Sequence, residues 1–367
     1  MSGPVLGLVV NPVAGMGGRV GLHGTDGRLD RALERGAVPV APARADRALA
    51  RLQQLAPHLR VVAGGGVLGA DHLRDRGWDV TELPTRPGRA RSGTDAEDTR
   101  ETVRAMVRSG VGLVLFVGGD GTARDVAAVV GDVPVLGVPA GVKMHSGVFG
   151  TTPEAAAAAA ARFLAGDETA TRPAEVVDRD EAGDVRLHGT VQVPAVRSAV
   201  QARKGTAGTA TDDAAALARR VAAEMEPGRL YLLGPGTTVA EVGAALGVPT
   251  TALGVDAVLD GRSVAVDASE ADLLALLAEH PRAGLVLGVV GGQGFLLGRG
   301  NQQLSPAVLA AVGTDRIEVL ATPAKVDALA QPVLHVDIDD PGLASRLVGY
   351  RRVRTGPSRS TVLRVVA

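Results

Sequence analysis

The chain of 367 residues contains no cysteine, which excludes disulfides, thiolate catalysis and Cys-based zinc or iron–sulfur sites. Aromatic residues make up 2%, with Trp78 the only tryptophan, too few for a platform that stacks nucleic-acid bases. Lysine is confined to Lys143, Lys204 and Lys325, so arginine carries nearly all the positive charge. The formal net charge is −1, and no global field draws the chain to nucleic acid or to an anionic membrane. No window approaches about 18 uninterrupted apolar residues, so no membrane span is expected. The apolar stretch Val5–Val10 runs into Asn11-Pro12 as a strand enters a loop, without the basic region of a signal peptide. A cytoplasmic protein with neither a nucleic-acid nor a membrane partner is expected.

What is abundant is glycine, placed at the ends of short apolar runs. The length suggests two domains on a prior of about 150 residues each. Over residues 1–150, strands are expected at Val5–Val10, Arg60–Ala63, Asp79–Leu83, Val111–Val117 and Val133–Val138. Helices are expected at Arg19–Arg35, Arg44–Gln54, Ala96–Ser109 and Thr122–Val130. That alternation implies an α/β domain with a parallel sheet covered on both faces. Pro153–Ala165 reads as an alanine-rich helix, capped by Thr152 and ended by Gly166, leading into a second domain over 151–367. This second part opens with β-like pieces at Ala174–Val177 and Val185–Val196, passes a polar loop at Gln201–Ala210, and returns to strand–helix alternation after Gly228, so a mixed α/β domain is expected. The strand Ser360–Val366 could return to either sheet.

The most informative segment is Gly118-Gly119-Asp120-Gly121-Thr122, directly after the run Val111–Val117. Asp120 is expected in a glycine turn at the carboxyl end of a buried strand, the edge at which open α/β sheets bind ligands. Two glycines before the acid and one after exceed what a helix cap requires. Asn11-Pro12-Val13-Ala14-Gly15-Met16-Gly17-Gly18 follows the first strand, and its glycines would let backbone N–H groups face a phosphate; a plain strand-to-helix turn has the same composition. Lys143 and His145 lie in Ala140–Gly147 after another strand, where Lys143 could meet a transferring phosphate or simply face solvent. Thr94 or Asp95 caps the helix at Ala96 and could also face a ligand.

In the second part, Leu230–Thr237 echoes the strand–glycine–threonine shape of Leu115–Thr122 with Pro235 in place of the acid, so Gly236 and Thr237 could bind an anion but not act on it. Asp256 at a strand end could accept hydroxyl hydrogen bonds. Gly292, Gln293, Gly294 and Asn301, in the glycine-rich stretch after Gly284–Val290, could hold a phosphate or ribose. His335, Asp337 and Asp339 would share a strand face, but a solvated face accounts for them better than a metal site, and no metal ligands are assigned.

Gly118-Gly119-Asp120-Gly121-Thr122 matches the signature of the NAD kinase, diacylglycerol kinase and sphingosine kinase superfamily. Asn11-Pro12-x-x-Gly15-x-Gly17-Gly18 resembles the phosphate loop of its lipid kinases. The strings Gly118–Val126 and Val138–Val148 resemble the divergent ATP-NAD kinase-like proteins, some of them associated with acetoin catabolism. The resemblance implies a first domain of NAD kinase type and phosphorylation of a hydroxyl by ATP or polyphosphate with Mg²⁺; in NAD kinases the acceptor is the 2′-hydroxyl of the adenosine ribose of NAD. It implies that Asp120 activates the hydroxyl or orients the metal-bound phosphate. Gly118, Gly119, Gly121 and Thr122 would hold phosphate, and Asn11, Gly15, Gly17 and Gly18 would meet the nucleotide. Typical members carry an Asn-Glu pair in a β-structured substrate domain; this chain has no such pair, so none of those substrate contacts is carried over. Alternatives are a kinase of another polyol or hydroxy-ketone, and an inactive nucleotide-binding regulator. A homo-oligomer is expected.

Overall fold

The computed structural model describes residues 5–22, 29–84, 94–142, 144–167, 169–179, 185–196, 212–290 and 293–367. They fall into two compact units: described residues of 5–16, 29–33 and 38–196 form the first, and those of 17–22, 34–37 and 212–367 form the second.

The first unit is built on strands β1 (Leu6–Val10), β2 (Arg60–Ala63), β3 (Asp79–Glu82), β4 (Leu113–Gly118) and β5 (Val135–Pro139). They form an all-parallel sheet in the order β3-β2-β1-β4-β5. Every residue of β1, β4 and β5 is buried, as continuous apolar runs should be when helices cover both faces. The chain runs outward from β1 through β2 to β3 and then crosses to β4 and β5. The carboxyl ends of β1 and β4 therefore flank the point where strand order reverses, which in open α/β sheets is where a ligand crevice forms.

The helices are α1 (Leu29–Glu34), α2 (Ala41–Leu55), α3 (Ala96–Arg108), α4 (Asp120–Ala127) and α5 (Pro153–Ala165). Local signals explain their ends. Asp95 caps α3 in a reciprocal capping box with Asp98, so the cap is Asp95 rather than Thr94. Thr152 Oγ1 accepts from the Ala155 N–H at 3.1 Å, and Gly166 ends α5 at φ +84°. The alanines of α5 bury Ala156, Ala157, Ala159 and Ala160 in the first core, where their small side chains allow close packing.

Two expected helices differ. The stretch from Arg19 to Arg35 is helical only over Leu29–Glu34 among its described residues; 17–21 form turns, with Gly21 at φ +70°, because closely spaced glycines favour tight turns over a helix. α4 begins at Asp120, two residues before the expected start, so Asp120 is its first residue and Gly119 its N-cap.

A hairpin of β6 (Thr171–Arg179) and β7 (Val185–Pro194) follows, and it belongs to the first unit, past the boundary expected at 150. The reason is its apolar face: Val176, Val191 and Val193 lie in the first core.

The second unit contains α6 (Asp212–Ala223), β8 (Leu230–Leu233), α7 (Thr237–Leu246), β9 (Asp256–Leu259), β10 (Arg262–Ala265), α8 (Glu270–Glu279), β11 (Ala283–Gly288) and β12 (Phe295–Leu297). It continues through α9 (Pro306–Val312), β13 (Ile317–Leu320), α10 (Pro323–Asp327), β14 (Val333–Val336), α11 (Pro341–Leu347), β15 (Gly349–Arg354) and β16 (Ser360–Val366). Its nine strands form one mixed sheet in the order β10-β9-β8-β11-β13-β15-β16-β14-β12. β16 does not return to the first sheet: it pairs antiparallel with β15 and parallel with β14, and buries Leu363 and Val365 in the second core. The expected loop at Gln201–Ala210 lies outside the described residues.

Candidate active site

Asp120 opens α4 immediately after β4, and its residue is 6% exposed. Its carboxylate accepts three hydrogen bonds from the segment after β5. Oδ2 accepts from the His145 N–H at 2.7 Å. Oδ1 accepts from the Ser146 N–H at 3.0 Å and from the Ser146 hydroxyl at 2.6 Å. An ionised carboxylate offers about four lone-pair positions, so one on Oδ2 remains. Burial pushes the Asp120 carboxyl up to about 7, the Ser146 and His145 donors pull it back down, and the charge of Asp178 adds a smaller upward push. The group therefore titrates near neutrality, where a carboxylate can both take and release a proton.

The glycines around Asp120 serve space rather than turn geometry. Gly118 and Gly119 do not adopt positive φ. A Cβ on Gly118 would strike the Thr122 side chain, and one on Gly119 would come within 2.9 Å of the Gly141 Cα. Gly121 is the second residue of α4, and the Thr122 hydroxyl accepts from Asn11 Nδ2 at 2.9 Å. Asn11 closes its own turn by accepting from the Val13 N–H, and its backbone N–H donates to Val117 O at 3.0 Å. The ends of β1 and β4 are thereby tied together. Gly15, at φ +79°, lies against the Ala140 carbonyl, where no side chain fits.

The first unit thus gathers Asn11, Gly15, Gly118, Gly119, Asp120, Gly121 and Thr122 at neighbouring strand ends. Thr94 stands just before the α3 cap. Lys143 lies outside the described residues. A cavity of about 400 Å³ opens along α3, lined by Leu83, Pro84, Asp98, Glu101 and Arg104 among others. Neither Asp120 nor Asn11 lines it.

Gly17 and Gly18 belong to the second unit, where Gly17 O accepts from the Leu22 N–H and Gly18 packs on Gln302. Gly236, at φ +119°, is the N-cap of α7, and Thr237 and Thr238 form its first turn. Lys325 Nζ donates to Thr238 Oγ1 at 2.7 Å and reaches Thr237 Oγ1 at 3.5 Å. Asp256 is buried and braces its own surroundings: it accepts from the Thr251 N–H at 2.7 Å and from the Asp267 N–H at 2.9 Å. Asn301 is buried too, donating to Leu296 O and accepting from the Gly298 N–H. Gln293 is buried, and Gly294 O accepts from the His335 N–H at 2.8 Å. Gly292 lies outside the described residues.

Two side chains with a part in these clusters are not among the residues the motifs pointed to, although Lys325 is one of only three lysines. Ser146 stands in the Ala140–Gly147 segment, where lysine and histidine drew attention, yet it is the serine that meets Asp120. Lys325 follows an ordinary capping motif, Thr322-Pro323, and only the sheet brings it to Thr238, 87 residues away.

No described helix is long and apolar enough to cross a membrane. The model of the ATP-NAD kinase N-terminal domain matches residues 6–168, and that of the ATP-NAD kinase C-terminal domain matches residues 227–365. No curated protein matches the chain. The two domain models meet this chain in order and together cover most of it, and the first contains the Asp120 cluster. The chain belongs to the ATP-NAD kinase-like family, and its fold and signature are those of a nucleotide-binding phosphotransferase.

Proposed function

We propose that the protein transfers the γ-phosphoryl group of ATP to a hydroxyl of a small molecule, the 2′-hydroxyl of the adenosine ribose of NAD, with Asp120 as general base. One observation carries this reading: a buried carboxylate at the point where strand order reverses, with one acceptor position left and its ionisation brought to about 7. Phosphoryl transfer asks little covalent chemistry of a protein; positioning and charge neutralisation dominate. Asn11, Gly15 and Gly118–Thr122 line the strand ends where the triphosphate would lie. Oδ2 takes the proton of the acceptor hydroxyl as its oxygen attacks the γ-phosphorus. In the described state the carboxylate is nearly closed to water, so the acceptor must displace whatever covers Oδ2.

The family relationship implies a divalent cation. Among the described residues no group of three or more His, Asp or Glu could hold one, and Asp120 is surrounded by hydrogen-bond donors rather than by other ligands. The residues therefore do not form a protein cage for Mg²⁺, which commonly binds through substrate phosphates with few protein ligands.

In the second unit, Gly236, Thr237 and Lys325 are assigned to phosphates of the bound molecules, and Gln293, Gly294 and Asn301 to the loop that holds the acceptor. A second reading, another polyol or hydroxy-ketone as acceptor, is favoured by the missing Asn-Glu pair.

Incubation with Mg-ATP and NAD, followed by mass spectrometry, should yield NADP; an acceptor panel with labelled ATP separates the two readings. Asp120→Asn should lower turnover about 10²–10⁴-fold while leaving nucleotide binding in place. Full activity in that variant removes Asp120 from the mechanism. Tight NAD binding with no phosphate transfer to any acceptor would make the chain a regulator instead.

A further inference from the structure

The Ser146 hydroxyl is fully buried and lies within hydrogen-bond distance of Asp120 and of both backbone groups of Val177. It lies 2.6 Å from Asp120 Oδ1, 2.9 Å from Val177 O and 3.1 Å from Val177 N. Val177 belongs to β6, at the point where the β6–β7 register slips, and both its N–H and its C=O reach this one oxygen. A bulge of this kind re-aims backbone groups away from regular pairing. A serine hydroxyl has one proton and two lone pairs. It accepts from the Val177 N–H, and its single proton cannot serve Asp120 Oδ1 and Val177 O at once.

The charge on Asp120 decides between them. A hydrogen bond to an ionised carboxylate is about twice as strong as one between neutral groups. With Asp120 ionised, the proton points to Oδ1. Once Oδ2 is protonated, Oδ1 becomes an ordinary neutral acceptor, no better than the Val177 carbonyl. We propose that Ser146 is a positioning residue whose hydroxyl proton follows the charge of Asp120, donating to Oδ1 while the base is free and turning to Val177 O once the base has taken the acceptor's proton. The proposal rests on Asp120 as the base. In the step it serves, the acceptor O–H proton moves to Oδ2, the acceptor oxygen forms a bond to the γ-phosphorus, and the bond from that phosphorus to the bridging oxygen breaks, leaving nucleoside diphosphate. Asp120 later returns the proton to water, and the Ser146 hydroxyl swings back.

Other charged groups stand on the packed elements. β6 carries Glu175 and Asp178, the latter paired with Arg124 of α4 at 2.8 Å. Asp125 of α4 pairs with Arg100 at 2.7 Å. His145 is next to Ser146, and β7 carries exposed Arg186 and His188.

The test follows the Val177 amide resonance of the full chain by ¹⁵N NMR between pH 5 and 9. It should shift with a midpoint near 7, matching the acidic limb of kcat/KM. The shift should vanish in Asp120→Asn and persist in His145→Gln. Ser146→Ala should move the activity limb up by about one to two pH units, a loss of about 10–100-fold at pH 6 with little change on the alkaline plateau. Ser146→Thr should restore it. A Val177 resonance that does not move with pH, or an unmoved limb in Ser146→Ala, overturns the switch. If Ser146→Ala fails to fold, the wild-type titration decides alone. Full activity in Asp120→Asn would instead defeat the base reading, a separate outcome.

Discussion

Replacing Asp120 by asparagine should change the stability of the first unit in opposite directions at low and high pH. The carboxyl is raised from 3.8 to about 7, a difference of about 3 units. At about 1.4 kcal/mol per unit this is about 4 kcal/mol of preference for the neutral form in the folded state. The folded protein binds this proton more tightly than the unfolded chain does. The favourable contribution is therefore complete below pH 4, falls away between 4 and 7, and is gone above 7. Asparagine cannot ionise and escapes that loss. It introduces a smaller one: with its oxygen toward Ser146, its NH₂ faces the His145 N–H, and an unpaired buried donor costs about 1–3 kcal/mol. By pH 4.5 the wild type has already lost about 1 kcal/mol of this contribution, so the variant should be less stable by up to about 2 kcal/mol there, cross the wild type between about pH 4.5 and 6, and exceed it by about 1–3 kcal/mol at pH 8. Trp78 makes the measurement local, because the only tryptophan is buried in the first core, with its indole N–H donating to Ala56 O at 2.9 Å. Urea unfolding followed by its fluorescence at several pH values gives the difference directly. A wild-type-minus-variant difference that stays constant from pH 4.5 to 8 would refute the reasoning, since it would mean that Asp120 ionises as easily inside the protein as outside.

Gly119→Ala should destabilise the first unit by about 1–3 kcal/mol, read by the same fluorescence, because the new methyl meets the Gly141 backbone at 2.9 Å and neither segment can yield as a side chain would. Lys325→Ala should raise KM for the phosphate-bearing substrate about tenfold with kcat nearly unchanged, as expected of a cation that holds a phosphate equally in the ground and transition states. An unchanged KM there would remove Lys325 from the proposed binding set.

The sequence was legible where one signal settled one element. Continuous apolar runs marked β1, β2 and β4, since a parallel strand buried on both faces needs nothing else. Thr152, Pro153 and Gly166 marked both ends of α5. Legibility failed where two signals competed. Between Arg19 and Arg35 helical spacing competed with glycines, and the glycines prevailed over the described turns. The hairpin β6–β7 was readable as strands, but its attachment depended on which core received Val176 and Val193, a long-range matter that spacing does not encode. Asp120 stands out in the sequence because glycines crowd it. Ser146 does not, because a serine between a histidine and a glycine has no local pattern; its contacts with Val177 form where β6 slips register beside it.

A purely structural account of Asp120 meets an energetic difficulty. Its three hydrogen bonds do hold the segment after β5 against α4, and a fold needs such ties. A tie alone, however, calls for acceptors, and neutral groups can supply them without the penalty of about 4 kcal/mol that the ionised, desolvated acid carries at pH 8. That penalty is a large fraction of the net stability of a typical domain, about 5–15 kcal/mol. A group that weakens the fold at neutral pH, at the strand ends where α/β sheets receive ligands, is what a working base costs a protein. The two accounts separate in a single variant. If asparagine is more stable at pH 8 and inactive, the acid is kept for its proton. If asparagine is less stable at every pH and still transfers phosphate, the acid is kept for its hydrogen bonds.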